Sequence, residues 1–276
     1  TLTSRDEINN GTASTALGVT FGAAAGGLTN TAGTLTATTT QSGGHLFLTA
    51  PAALTVGVLD TADASSQTIS ILTTGDTNLT WSGVSSLDTD AVTFGGAATG
   101  VLTISANQAL GSLTGTGNSV LVSNTVTTAN STTGGTPSGN ITLTADTTTL
   151  AVNANLTTGN ATVADVDTTN QTAVSGNVTL SAGTSVTGSG RLITGNAEIS
   201  GATQTGTDSA TSGNISVTAG TAGASGGIGL SSAGNALTIG TASRTTATGT
   251  DAATTGNITL TSRDEINNGT ASTALG

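Results

Sequence analysis

The sequence predicts an all-β chain: a right-handed parallel β-helix, or β-solenoid, with about 20 residues per coil and the form of an elongated rod. Three observations predict it. Apolar residues alternate with Thr and Ser, Gly-Asn pairs recur at near-constant spacing, and the opening eighteen residues return at the far end of the chain.

The alternation is plain in Ile141-Thr142-Leu143-Thr144, Val178-Thr179-Leu180-Ser181, Ile215-Ser216-Val217-Thr218 and Ile258-Thr259-Leu260-Thr261. Period two reads as a strand with one buried face. Thr, Val and Ile are β-branched and favour strands. That pattern, with only 2 Pro, separates the chain from a disordered Gly-rich linker. No helix-length stretch of 3.6 period interrupts it.

The corners come next. Gly-Asn pairs begin at Gly117, Gly139, Gly159, Gly176, Gly195, Gly213, Gly234 and Gly256, in steps of 22, 20, 17, 19, 18, 21 and 22. Gly and Asn both tolerate the left-handed backbone of a tight corner. Stacked Asn residues can also form an amide ladder. Asn140, Asn160, Asn177, Asn196, Asn214 and Asn257 are therefore expected as structural turn and ladder residues.

The third observation is self-similarity. Thr1–Gly18 reads TLTSRDEINNGTASTALG, and Thr259–Gly276 is identical, an offset of 258 residues. The expectation is a single solenoid segment, 1–276, in which 1–258 is one period of a tandem repeat and 259–276 opens the next. A whole number of coils per period follows, about 13, giving a rod of order 60 Å. Residues 101–262 read as regular coils. Residues 19–100 read as less regular coils holding the larger core residues Phe21, Phe47, Phe94 and Trp81. With no capping segment in evidence and no Met, the chain is expected to be a fragment or processed piece of a continuing or end-to-end stacking rod.

Composition excludes several functions. Charged residues are 7%, aromatics 1%, and the net charge is −11 with 4 Arg and no Lys. Nucleic-acid binding needs clustered cations, so none is expected. Cys is absent, which removes disulfide and thiol chemistry. No run of 18 apolar residues exists, so no membrane insertion is expected. Few oxidisable side chains and few tryptic sites suit an extracellular or cell-surface location.

No catalytic residue is expected. His45 is the sole His and cannot build a zinc site or a nucleophile pair. Trp81 reads as a core or corner filler rather than a sugar platform. The Gly-rich stretch Gly223–Gly229 lacks Lys and reads as a loop, not a phosphate cradle. Asp88 with Asp90, and Asp165 with Asp167, could seat Ca²⁺ weakly, since Asp-x-Asp in a strand points both carboxylates to one face. Asp60 with Asp63 is a third candidate carboxylate pair, and the alternative for all three is ordinary solvated acids on an outer face. No other cofactor is expected. Thr-x-Thr pairs (Thr1/Thr3, Thr142/Thr144, Thr259/Thr261) would face outward as a row, interrupted by Glu198 and Ala164.

The Gly-Asn-Ile-Thr-Leu-Thr units at Gly139 and Gly256, with kin at Gly176 and Gly213, resemble repeats of filamentous haemagglutinin-type and autotransporter-passenger adhesins. The resemblance covers residues 100–262 well and implies a right-handed parallel β-helix exported to a bacterial surface. The expected function is a structural or adhesive extracellular fibre. Its expected partners are further copies of the repeat head to tail, and other cells, surfaces or glycans. A glycan- or ice-binding face is the alternative, and a β-helix polysaccharide-active enzyme a second one.

Overall fold

A computed structural model describes residues 2–4, 7–9, 18–20, 34–39, 45–61, 67–164, 170–201, 207–223, 225–231, 236–245 and 252–267. Among them the chain is all-β, and each strand pairs parallel with its neighbours. No described helix is long and apolar enough to cross a membrane. This layout of parallel strands in sheets is compatible with a β-solenoid.

Two large sheets face each other, one of ten strands and one of fourteen. Their inward residues form one continuous core from Leu35 to Leu230. The strands obey the period-two expectation: Ile141–Ala145, Val178–Ala182 and Ile215–Ala219 bury every second residue. Trp81 and Phe94 are fully buried, with ring centroids 4.9 Å apart, as the reading of Trp81 as core expected. Phe21 lies outside the described residues.

The coil length differs from expectation. One turn is the distance between register partners. Leu46, Ile69 and Val92 stack at steps of 23 residues, and Leu102 stacks under Val120 at 18. Beyond Leu113 the steps lengthen. Leu113 to Ile141 is 28, Ile141 to Val178 and Val178 to Ile215 are 37 each, and Ile215 to Ile258 is 43. The spacing of about 20 seen in the sequence is thus near one turn only in the early part. In residues 139–257 it is roughly half a turn, because each turn there has two Gly-Asn-type corners.

The extra residues build a lateral fin. Strand Gln108–Gly117 pairs on its upper side with two separate strands, Val126–Thr128 and Ile141–Ala145. The fourteen-stranded sheet forks at that point. In later turns the gap between the two branches carries an outgoing strand, first Ala161–Ala164, and a returning strand, first Thr172–Val174. These stack with their successors into two three-stranded sheets. A second, small core of Ala161, Val163, Ala173, Ala197, Ile199 and Ala210 lies between them.

The fin has a cap, which the sequence did not lead us to expect. Ser131 bridges Ala161, the Gly135 N–H donates to Thr172 O at 2.8 Å, and the Ser138 N–H donates to Val174 O at 3.0 Å. Pro137 brings no N–H to that edge, which blunts it. At the other end of the stack the last turn is uncovered. Ile258 is 45% and Ile266 51% exposed, whereas their partners one turn below, Ile215 and Ile228, are 0% and 2% exposed.

The duplicated segment also departs from expectation. In the first copy Leu2–Ser4 lies in the ten-stranded sheet and Glu7–Asn9 in the fourteen-stranded one. In the second copy Ile258–Thr261 lies in the fourteen-stranded sheet and Ile266–Asn267 in the ten-stranded one. Eight pairing steps lead from Leu2–Ser4 to Ile228–Leu230 in the ten-stranded sheet, and the second copy follows half a turn later. The offset of 258 residues therefore spans eight and a half turns, not a whole number near 13. Nine steps of about 4.8 Å give the whole stack a length of about 43 Å, shorter than expected.

Candidate functional site

Three features compete as sites: the neck of the fin, the outer face of the fourteen-stranded sheet, and the buried carboxylates.

The neck is built from the Ser or Thr two residues before each corner Asn, which precedes a glycine everywhere except at Thr128-Ala129-Asn130. Thr128, Ser138, Thr158, Ser175, Thr194 and Ser212 are all buried. The hydroxyls of Thr128, Ser138, Thr158 and Ser175 each work in two directions, and those of Thr194 and Ser212 accept from the Gly240 and Gly256 N–H groups. The Ser175 hydroxyl donates to Gly195 O at 2.6 Å and accepts from the Gly213 N–H at 2.7 Å. Ser138 does the same with Gly159 O and the Gly176 N–H, and Thr158 with Gly176 O and the Gly195 N–H. The result is a zipper that alternates between the two sides of the neck and satisfies backbone groups that the fork removes from the ladder. Only glycine fits between its rungs. A Cβ on Gly176 would lie 2.0 Å from Gly139 O, and one on Gly213 1.9 Å from Gly176 O. The sequence does signal this zipper, since Ser or Thr precedes Gly139, Gly159, Gly176, Gly195, Gly213 and Gly256.

The expected asparagine ladder forms, but as two columns. Asn140, Asn177, Asn214 and Asn257 stack at the returning corner, the backbone N–H of each of the last three donating 2.7 Å to the Oδ1 of the Asn below. Asn160 and Asn196 belong to the outgoing corner, over Asn130, and Thr241 closes that column on Asn196 Oδ1. Asn130 was missed because no glycine precedes it.

The outer face of the fourteen-stranded sheet is a hydroxyl array. Thr114, Thr142, Thr179, Ser216 and Thr259 are register partners in successive turns. Two residues along, Thr116, Thr144, Ser181, Thr218 and Thr261 form a second column. All ten are half-buried or exposed, and none is charged. Glu198 and Ala164 do not interrupt the row. They lie in a fin sheet, paired with Thr162 and Ser200. Beside the array, under the root of the fin, is a hollow of about 610 Å³ whose floor includes Gly111 and Ser112 and whose overhang includes Thr132 and Pro137. Its lining carries no ionisable side chain.

Among the described residues the carboxylates do not converge. Asp90 is buried rather than solvated on an outer face. Its Oδ2 accepts from the Thr61 hydroxyl and its Oδ1 from the Gln67 N–H at 2.7 Å, so it clasps the neighbouring turn. The Asp88 side chain, Asp63, Asp165 and Asp167 lie outside the described residues. Asp60 is exposed. Among the described residues no group of three His, Asp or Glu could hold a metal ion. His45 accepts from the Thr68 N–H through Nδ1 at 2.9 Å, a bond between successive turns. Gly223 sits in a turn at φ +81°, and Ile228–Leu230 is a strand, so part of the expected loop 223–229 is sheet.

Asp208 and Arg244 form a buried pair inside the fin. The Arg244 Nη2 to Asp208 Oδ2 distance is 2.9 Å, and Asp208 Oδ1 also accepts from the Gln171 N–H. Arg244 stands in the register column of Val163 and Ile199, where a core residue is due. The pair neutralises a charge within a wall.

No protein-family model, no curated protein and no solved structure matches this chain.

Proposed function

We propose that the chain is a segment of a structural or adhesive extracellular fibre, wound as a right-handed parallel β-helix and continued head to tail by further copies of the repeat. The observation that carries this reading is the exact return of Thr1–Gly18 as Thr259–Gly276 in a chain whose described strands stack in parallel, turn upon turn. Backbone ladders along the axis would give stiffness. The acidic surface, net −11, would oppose lateral aggregation. The resemblance to surface adhesins of the filamentous haemagglutinin type supports the compartment, and the reading invokes no cofactor and no catalysis. Electron microscopy of native material tests it. Filaments with an axial rise of about 41 Å per 258-residue period, eight and a half steps of about 4.8 Å, are the expected result. Isolated globular particles would sink the reading.

The uninterrupted hydroxyl array favours a second reading, in which that face binds ice or an uncharged glycan. A neutral face on so acidic a chain suits a neutral, periodic partner. The test compares the chain with a Thr142→Lys, Thr179→Lys variant in ice-recrystallisation and glycan-array assays. Activity in one assay, lost in the variant, supports this reading, and inactivity of the parent chain in both removes it.

A further inference from the structure

The two identical segments occupy opposite sheets, and this sets how successive repeats must join. In the first copy, Thr3 pairs upward with Thr38, and Asn9 with Phe47. The same residues of the second copy are Thr261 and Asn267, whose upper sides belong to the last turn. Identical strands with identical free edges call for the same cover. That cover is a second copy of strands Thr34–Thr39 and Leu46–Ala50.

We propose that the last turn is completed by residues 34–50 of the following repeat, joined half a turn out of phase. The fourteen-stranded sheet of one repeat continues as the ten-stranded sheet of the next. Because the fin branches from the fourteen-stranded sheet, successive fins project from opposite sides of the rod.

A second consequence falls on strand Gly18–Thr20. It pairs beneath Glu7–Asn9, with Val19 opposite Ile8. In the second copy the place beneath Ile266 is held by Ile228. Strand Gly18–Thr20 therefore stands where the preceding repeat's strand Ile228–Leu230 belongs, and is displaced when repeats join. It covers an edge that would otherwise invite indiscriminate pairing.

The inference rests on the tandem-fibre reading, and the experiment separates the two. A chain of two consecutive periods is made with Thr261→Cys and with Thr38→Cys in the second period. The native chain has no Cys to interfere. Parallel neighbours in a sheet lie within disulfide range. Oxidation is expected to give a compact, faster-migrating band, as is the pair Asn267→Cys with Phe47→Cys of the second period. A join that preserved sheet identity would instead set the second copy's Thr34–Thr39 over Ile266–Asn267, and would link Asn267→Cys with Thr38→Cys. That link, or none in any pair, overturns the proposal. Class averages of the unsubstituted two-period chain supply an independent readout, with fins on opposite sides expected and fins on one side overturning it. A natural parent sequence with no second period would sink the fibre reading alone.

Discussion

The stack before the fork and the stack after it solve the same packing problem with different materials. Between Leu46 and Gly117 the turns are short and the core holds the bulky pair Trp81 and Phe94. After the fork the turns are longer, the core rests on Val, Ile, Leu and Ala, and the widened cross-section is held at the neck by buried hydroxyls. A chain poor in aromatics cannot fill a wider centre with side-chain volume. It divides the section into two thin cores and closes the boundary with hydrogen bonds.

Substitutions on either side should break this contrast differently. The largest effect is expected from Phe94→Ala, which empties a fully buried site against Trp81. A loss of about 4 kcal/mol is expected in urea denaturation. Trp81 is the sole tryptophan, so its fluorescence reports the early stack. The fluorescence transition should shift as far as the circular-dichroism one, or further. Equal and small shifts would show that the two halves do not differ.

Gly213→Ala should be next, at about 3 kcal/mol. Its new Cβ would meet the Gly176 carbonyl, which is backbone and part of the zipper. Circular dichroism should register this loss while the Trp81 fluorescence transition moves little, because turns in such stacks couple mainly to their neighbours. Tolerance of alanine there would show that the neck is not close-packed.

The two regions also differ in how far they could be read from sequence. Strand period and core identity were legible throughout, because alternation is local: Ile141, Leu143 and Ala145 declare their buried face within five residues. Turn length was not. The outgoing corner Thr158-Gly159-Asn160 and the returning corner Ser175-Gly176-Asn177 look alike in one dimension, yet they stack on different columns. Counting both as one series halved the turn after the fork. It also placed Glu198 in a row of threonines that it never joins. Which corner lies over which is a register property, fixed by partners some 37 residues away. The half-turn shift of the duplicate was hidden for the same reason.

Ser175→Ala should cost about 2 kcal/mol, less than the glycine change because it removes partners without forcing atoms together. It leaves Gly195 O and the Gly213 N–H without the hydroxyl that now serves both. The conservative replacement Ser175→Thr keeps that oxygen, and Thr158 already occupies the equivalent place on the outgoing side. Thr is therefore expected to retain more of the stability than Ala. Equal losses for Thr and Ala would mean that volume, not hydrogen bonding, governs the neck.

The smallest effect sharpens the comparison most. Thr179 lies four residues after Ser175, on the outer face of the returning strand, and is exposed. Its hydroxyl can exchange its partners for water, whereas that of Ser175 cannot. Thr179→Val keeps the β-branched shape that suits a strand and removes only the oxygen. The expected change is within about 0.5 kcal/mol, as for most surface substitutions. If it matched the loss in Ser175→Ala, the outer hydroxyls would be part of the scaffold, and the face would have no latitude for a binding role. If it is small while ice or glycan binding falls, the hydroxyls inside the neck hold the fold and those outside it are free to meet a partner.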